Sequence, residues 1–368
     1  MRLIKNSRRR NVLVLFLTFL AGTVVAGWFW REQVLGLASN VSSYVRRRSE
    51  VKSPALIINR WSGDGKAERF HLADKADELG IRTIMLERGD DLEQLAHDAI
   101  SAGADAIGMA GGDGSLGLVA AVAAERDVPF FCVPVGTRNH FALDLGLDRD
   151  DPLTALEAIS DGEEVLIDVG VIGDRVFVNN VSLGVYAVAV HQEGYRESKE
   201  ETLVAAVSAS ALHAENQPSL QFATPDGSRH AKSPLVMISN NKYTWSGPPD
   251  FGRRTRLDTG RLGVGVVTNS TYVDGAESAS LGSGRNLHEW ETGSFRIASD
   301  DEIVKTAVDG EALEFAAPLS ISSRPRGLRV LVPAGTRPGY LPPGQVMAAK
   351  LLDLAAVGGN VEVDVTGA

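Results

Sequence analysis

From residue 54 onward, short apolar runs alternate with segments whose apolar residues recur at helical spacing. Strands are predicted at 55–59, 81–86, 105–109 and 129–133, and helices at 66–79, 92–102 and 116–126. Short apolar runs bounded by turn residues read as buried strands, and i, i+3, i+4 spacing reads as a covering helix. Their regular alternation predicts a parallel sheet with helices on its faces. Beyond residue 164 the helical period fades. Runs at 164–172, 175–181, 219–222, 234–239, 262–267, 294–298, 303–308 and 328–332, punctuated by turn residues, predict an all-β second part.

The organisation expected is a basic N-terminus at 1–10, an anchor at 11–30, a linker at 31–53, an α/β domain at 54–163 and a β domain at 164–333. The β domain carries a helical insert at about 185–216, residues 334–356 return to the first domain, and 357–368 form a tail. Arg2, Lys5 and Arg8 to Arg10 precede an uncharged run from Asn11 to Trp30. Such a run, as a helix, spans a bilayer core of about 30 Å. It reads as an uncleaved single-pass anchor with the body of the chain on the cytoplasmic side. The alternative is a signal peptide cut after Ala26.

Composition narrows the classes. The formal net charge of −10 argues against a nucleic-acid partner. One cysteine, Cys132, excludes an internal disulfide framework, and the seven histidines show no zinc-ligand spacing. The chemistry lies in the loops that follow the predicted strands. Gly111-Gly112-Asp113-Gly114-Ser115 follows one strand and opens a helix, and Gly136-Thr137-Arg138-Asn139 follows the next. Glycines let backbone approach a phosphate closely, and helix-start N–H groups point at an anion. Ligands in open α/β sheets bind beyond the carboxyl ends of the strands, where Asn59 to Gly63 also falls. The Walker-type P-loop is absent: Gly65-Lys66 has no glycine at 60 and no Ser or Thr at 67.

Several motifs occur together and in order: Asn59-Arg-Trp-Ser62-Gly63, Gly111 to Ser115, Pro134-Val-Gly-Thr137-Arg-Asn139-His-Phe141, Asn179-Asn180-Val-Ser-Leu-Gly184, Asp258-Thr259-Gly260-Arg-Leu262 and Asp309-Gly310-Glu311. On these the chain, over about 54–335, resembles the diacylglycerol kinase catalytic family, which includes bacterial lipid kinases and sphingosine kinases and is distantly similar to NAD kinases. The resemblance implies a nucleotide-binding α/β domain followed by a β-sandwich, with the active site in the cleft between them. It implies transfer of the ATP γ-phosphate to a lipid hydroxyl, diacylglycerol first. It implies nucleotide contacts from Asn59, Ser62, Gly63, Gly111, Gly112, Asp113, Gly114, Ser115, Gly136, Thr137 and Asn139, and catalytic roles for Asp309 and Glu311. The cofactors implied are ATP and Mg2+, with Asp113 as the contact to nucleotide-bound magnesium. The partners expected are a lipid substrate, the membrane through the anchor, and a second copy of the chain as a homodimer.

The chain departs from the family pattern at named positions. Leu118 replaces a glutamate, His140 an aspartate and Arg60 a proline, and Met85-Leu86 stand where a threonine usually does. The family's Asp-Asp-Gly, which helps hold a structural magnesium, is Asp258-Thr259-Gly260, and a hydroxyl is a poor magnesium ligand. Two other functions stay open at this point: a kinase of a soluble acceptor resembling NAD kinase, and a nucleotide- or lipid-binding sensor without catalysis.

Overall fold

The computed structural model describes residues 44, 46–48, 50–191, 219–233, 235–243, 253–268, 272–273, 276–277 and 286–339. Its strands are β1 (Arg46–Arg48), β2 (Pro54–Ile58), β3 (Arg82–Met85), β4 (Ala106–Gly111), β5 (Phe130–Pro134), β6 (Gly162–Ile172), β7 (Arg175–Phe177), β8 (Asn180–Gly184), β9 (Ser219–Ala223), β10 (Arg229–Lys232), β11 (Leu235–Asn240), β12 (Leu262–Thr268), β13 (Tyr272–Val273), β14 (Ala276–Glu277), β15 (Asn286–Thr292), β16 (Ser294–Ile297), β17 (Ile303–Val308), β18 (Glu311–Ala316) and β19 (Leu319–Pro333). The helices that matter for the site are α1 (Lys66–Arg69), α2 (Leu72–Glu78), α3 (Leu92–Ser101), α4 (Asp113–Glu125) and α5 (His140–Asp144).

The first sheet runs β1-β6-β19-β5-β4-β2-β3. Pairings among β3, β2, β4 and β5 are parallel, as the βα alternation predicts. Strands β2, β4 and β5 are buried along their whole length, because helices cover both faces. Helix α4 packs Leu116, Val119, Ala120 and Ala123 into that core. The predicted helix at 66–79 breaks into α1 and α2 at His71, whose φ of 49° is left-handed and cannot propagate a helix.

The second sheet, β15-β12-β11-β8-β17-β18, is antiparallel. Its inner face meets residues of β6, β16 and β19 in one core that includes Phe177, Leu183, Val236, Ile238, Val264, Ile297 and Ile321. The α/β plus β-sandwich class is therefore present. Strands β6 and β19 are shared by both parts. Near its start β19 pairs Ile321 to Arg324 with Ile172 to Val169. After an irregularity between Arg324 and Leu328 it pairs with Ile167 to Gly162, and it runs parallel to β5 at Val330 and Leu331. The predicted strand 328–332 is the second half of this longer strand. The predicted run 175–181 splits into β7 and β8, because the N–H groups of Val178, Asn179 and Asn180 turn to a side chain instead of a neighbouring strand.

One expectation is corrected. No helix among the described residues is long and apolar enough to cross a membrane. The single-pass location, with its membrane partner, is withdrawn. The run 11–30 on which it rested lies outside the described residues, as do most of the insert, 192–218, and residues 340–368.

Candidate active site

The chain leaves β2 toward β3 through α1 and α2, then returns through α3 to β4 on the other side of β2. The loops after β2 and β4 therefore diverge, which makes a crevice at the carboxyl ends of these strands. This is the topological switch point at which open α/β sheets bind ligands. The loop after β2 carries Asn59, Ser62 and Gly63, and the loop after β4 carries Gly111 to Ser115. The loop after β5, with Gly136 to Asn139, closes the third side.

Close approach of bare backbone builds the crevice. Gly63 has φ 55°, and a Cβ there would overlap the carbonyl oxygen of Val135. A Cβ on Gly136 would overlap the Cα of Gly112 and stand 2.8 Å from Asn139 Oδ1. Asn139, buried and left-handed at φ 53°, accepts from the Gly136 N–H at 3.0 Å and donates to the Gly136 carbonyl at 2.6 Å. Asn59 donates its backbone N–H to Ala110 O at 2.9 Å, and its side chain accepts from Trp61 N–H at 3.1 Å. A Cβ on Gly112 would point into the gap itself, 3.6 Å from Ser62 Oγ and 3.7 Å from Gly136 Cα. Gly112 caps α4 without a side-chain acceptor, so the N–H groups of the first turn have no partner within the helix. Asp113 Oδ1 accepts from Phe141 N–H at 3.0 Å, joining α4 to α5. Thr137 is exposed beside Gly136.

The opposite wall is the turn between β17 and β18. Asp309 and Gly310 have φ of 49° and 88°, as a two-residue primed hairpin requires. The Asp309 carboxylate accepts from three backbone N–H groups, Val178 at 2.8 Å, Asn179 at 2.7 Å and Asn180 at 2.9 Å. A Cβ on Gly117 of α4 would come within 2.8 Å of Asp309 Oδ2, and one on Gly114 within 3.3 Å of Glu311 Oε1. The hairpin thus sits on the first turns of α4, and all predicted residues except Thr137 are joined by contacts in one place. Burial lifts the Asp309 carboxyl to about 6, against the three N–H donors and the Arg254 guanidinium, which lower it.

Behind this wall lies a buried polar network whose central pair, Arg254 and Asp144, the sequence did not single out. Arg254, fully buried, meets Asp144 at the end of α5 with Nε 2.7 Å from Oδ2. Its Nη2 donates to Asn179 Oδ1 at 2.8 Å, and Nη1 donates to the carbonyls of Val178 and, at 3.0 Å, Asn240. The guanidinium also lies 5.5 Å from the ring centre of Tyr243, whose phenol burial pushes up to about 12.

The Asp258-Thr259-Gly260 segment does not fit a structural magnesium. Buried Asp168 accepts from Asn241 Nδ2 at 2.9 Å and Arg326 N–H at 2.9 Å. The same Asn241 nitrogen donates to Thr259 Oγ1 at 2.8 Å. An uncharged donor bridges the carboxylate and the hydroxyl, while Asp258 pairs with Arg256 at 2.8 Å. Among the described residues no group of three His, Cys, Asp or Glu side chains could hold a metal ion.

Fold and site define a class: a two-part α/β and β-sandwich protein with a backbone-lined crevice facing a half-buried acidic hairpin. Residues 53–172 match the model of the diacylglycerol kinase catalytic domain. A diacylglycerol kinase of Mycobacterium tuberculosis (strain ATCC 25618 / H37Rv) is 32% identical over 133 residues, 35% of this chain and 43% of that protein. The alignment thus spans less than half of that relative's length. A protein of Pseudomonas aeruginosa PAO1 described as "Probable lipid kinase YegS-like" is 27% identical over 270 residues, 70% of this chain and 86% of its own. The crystal structure of a diacylglycerol kinase from Bacillus anthracis str. Sterne shares the fold, with a TM-score of 0.55 at 16% identity, over 78% of this chain and 99% of that one.

Proposed function

We propose that the protein is an ATP-dependent lipid kinase that transfers the γ-phosphate to a lipid hydroxyl, with diacylglycerol as the first acceptor. The observation that carries this is the Asp309-Gly310-Glu311 turn seated on the first turns of α4, facing the crevice of Gly63, Gly112 and Gly136. The names of the relatives support the lipid class of acceptor.

In this reading the nucleotide phosphates lie against Gly111 to Ser115, Gly63 and Gly136, met by the free N–H groups of the α4 first turn. Phosphoryl transfer depends on positioning and charge compensation more than on covalent chemistry. The acceptor oxygen bonds to the γ-phosphorus as the bond to the β–γ bridging oxygen breaks. Asp309 or Glu311 takes the hydroxyl proton. An ionised Asp309 is available above about pH 6. Asp113 is the residue that would meet magnesium arriving on the nucleotide, an ion commonly held by one or two carboxylates plus substrate phosphates. Bound there, magnesium would neutralise phosphate charge.

The test is transfer of labelled γ-phosphate by the full chain to a panel of lipids in mixed micelles, diacylglycerol included, with NAD as a soluble acceptor. A labelled lipid that disappears with both Asp309→Asn and Glu311→Gln supports the reading. Label on NAD alone, or ATP binding with no product, replaces it with a soluble-acceptor kinase or a sensor.

A further inference from the structure

Arg254 is the largest fully buried side chain among the described residues. A buried cation is retained only when paired and hydrogen-bonded on several sides. Only part of this guanidinium serves its ion pair. Its Nε and the main-chain N–H of Arg254 go to Asp144, at 2.7 and 3.1 Å. Its two Nη groups turn the other way, to Val178 O, to Asn240 O and to Asn179 Oδ1. Val178, Asn179 and Asn180 are the residues whose N–H groups hold the Asp309 carboxylate. Asp144 ends α5, which starts directly after the Gly136–Asn139 loop of the crevice.

We infer that Arg254 is a positioning residue for the reaction at Asp309: its forked guanidinium fixes the Val178–Asn180 backbone that aims the carboxylate, and through Asp144 it locks that segment to the crevice loops. The inference rests on the reading of Asp309 as the proton acceptor. A planar guanidinium reaches partners in several fixed directions at once, which a lysine ammonium cannot do. The charged and titratable groups around Asp309 are Arg254, with Asp144 and Tyr243 behind it, Glu311 on the same hairpin and Asp113 at the start of α4. Of these, Arg254 is the cation, so its field and the N–H donors it aligns both act to keep Asp309 ionised.

Two full-length variants test it. Arg254→Lys keeps the charge and loses the fork. Arg254→Met with Asp144→Leu replaces the pair by apolar groups of similar volume, a change buried pairs often tolerate. The readouts are melting temperature, kcat and KM for ATP, the pH profile of kcat/KM, and the titration of Asp309 followed by carboxyl carbon NMR, its signal assigned by its loss in Asp309→Asn. Both variants are expected to fold, to hold KM for ATP within about threefold, and to lose on the order of 10–100-fold in kcat, the scale of a small misplacement of reacting groups. The acid limb and the Asp309 midpoint are both expected to move to higher pH. A variant that only melts earlier, with kcat, acid limb and midpoint unchanged, overturns the inference. So does failure of both variants to fold, because a group needed for the fold itself has no separable role at Asp309. If the unaltered protein phosphorylates no acceptor and the midpoint still moves, the kinase reading falls and the positioning role stands.

Discussion

The two walls of the crevice are made of different material. On the α/β side the surface is backbone: Gly63, Gly112 and Gly136 pack so closely that a Cβ on Gly63 or Gly136 would collide with a neighbouring main chain. On the β side the surface is a carboxylate, Asp309, held by three N–H groups, with Arg254 and Asp144 buried behind it. Backbone donors carry no proton that titrates near neutrality and suit a phosphate, whose charge is fixed over much of the pH range. A half-buried carboxylate with a buried guanidinium behind it has a protonation state that its surroundings set. In the proposed reading one wall binds, and the other exchanges a proton.

Breaking the second wall has the largest expected effect. Asp309→Asn is expected to lower kcat by about 10²–10⁴-fold, the usual worth of a general base. Binding of ATP, measured by calorimetry, is expected to change little. Because an asparagine Nδ2 facing the Val178 or Asn179 N–H is itself destabilising, Glu311→Gln, at the other carboxylate of the hairpin, serves as the companion variant. Full activity in both removes the hairpin from the mechanism.

The first wall breaks in the opposite sense. Gly112 has φ −93°, so Gly112→Val strains nothing locally and puts its side chain into the gap between Ser62 and Gly136. ATP affinity is expected to fall by on the order of 100-fold, about 2.7 kcal/mol, with the far-ultraviolet dichroism spectrum unchanged. Unchanged affinity would mean that the phosphates lie elsewhere.

The difference in material also explains what could be read in advance. The glycine loops are contiguous in sequence and follow predictable strands, so Gly111 to Ser115 and Gly136 to Asn139 were legible as a candidate site. Asp309-Gly310-Glu311 was legible through its motif and its place after the strand 303–308. Arg254 was not. Its partners, Asp144, Val178, Asn179 and Asn240, come from three separate segments, and nothing local sets it apart from Arg253 or Arg256. Asp168 did carry a signal: a lone carboxylate within the apolar run Val165 to Val169, which few exposed or unpaired acids would tolerate. Strands β15 and β18 were missed because Asn286–Thr292 and Glu311–Ala316 mix polar and apolar residues on half-exposed sheet edges. The full length of β19, which pairs with β16, β6 and β5 within the first sheet, was missed because register with distant strands is not a local property.

Acidity sharpens the comparison at a smaller scale. With Asp309 near 6, kcat/KM is expected to fall about tenfold per unit as pH drops below about 6. The stability term has the opposite sign. The folded carboxyl lies above its ordinary value of 3.8, so folding favours the protonated form. That contribution is complete below about 3.8 and is lost as pH rises through about 6. Measured melting temperatures should therefore move in favour of Asp309→Asn, relative to the unaltered protein, between pH 4 and pH 7. A constant difference would mean that Asp309 has an ordinary acidity in the folded protein.

The smallest effect concerns the buried network beside the second wall. Asn241 Nδ2 bridges Asp168 and Thr259 without a metal, so with no nucleotide present the melting temperature is expected to be the same in chelator and in millimolar magnesium. Thr259→Asp would place a second carboxylate on that nitrogen. A second charge beside buried Asp168, sharing one neutral donor with it, is expected to cost about 1–3 kcal/mol in chelator, and magnesium, which carboxylate oxygens bind far better than a hydroxyl, is expected to restore most of it. The variant would then depend on magnesium where the unaltered chain is expected not to. If the unaltered protein also melts higher in magnesium, the hydrogen-bonded bridge is only one state of a site that still takes a metal, and the Asp168 carboxylate would be its first ligand.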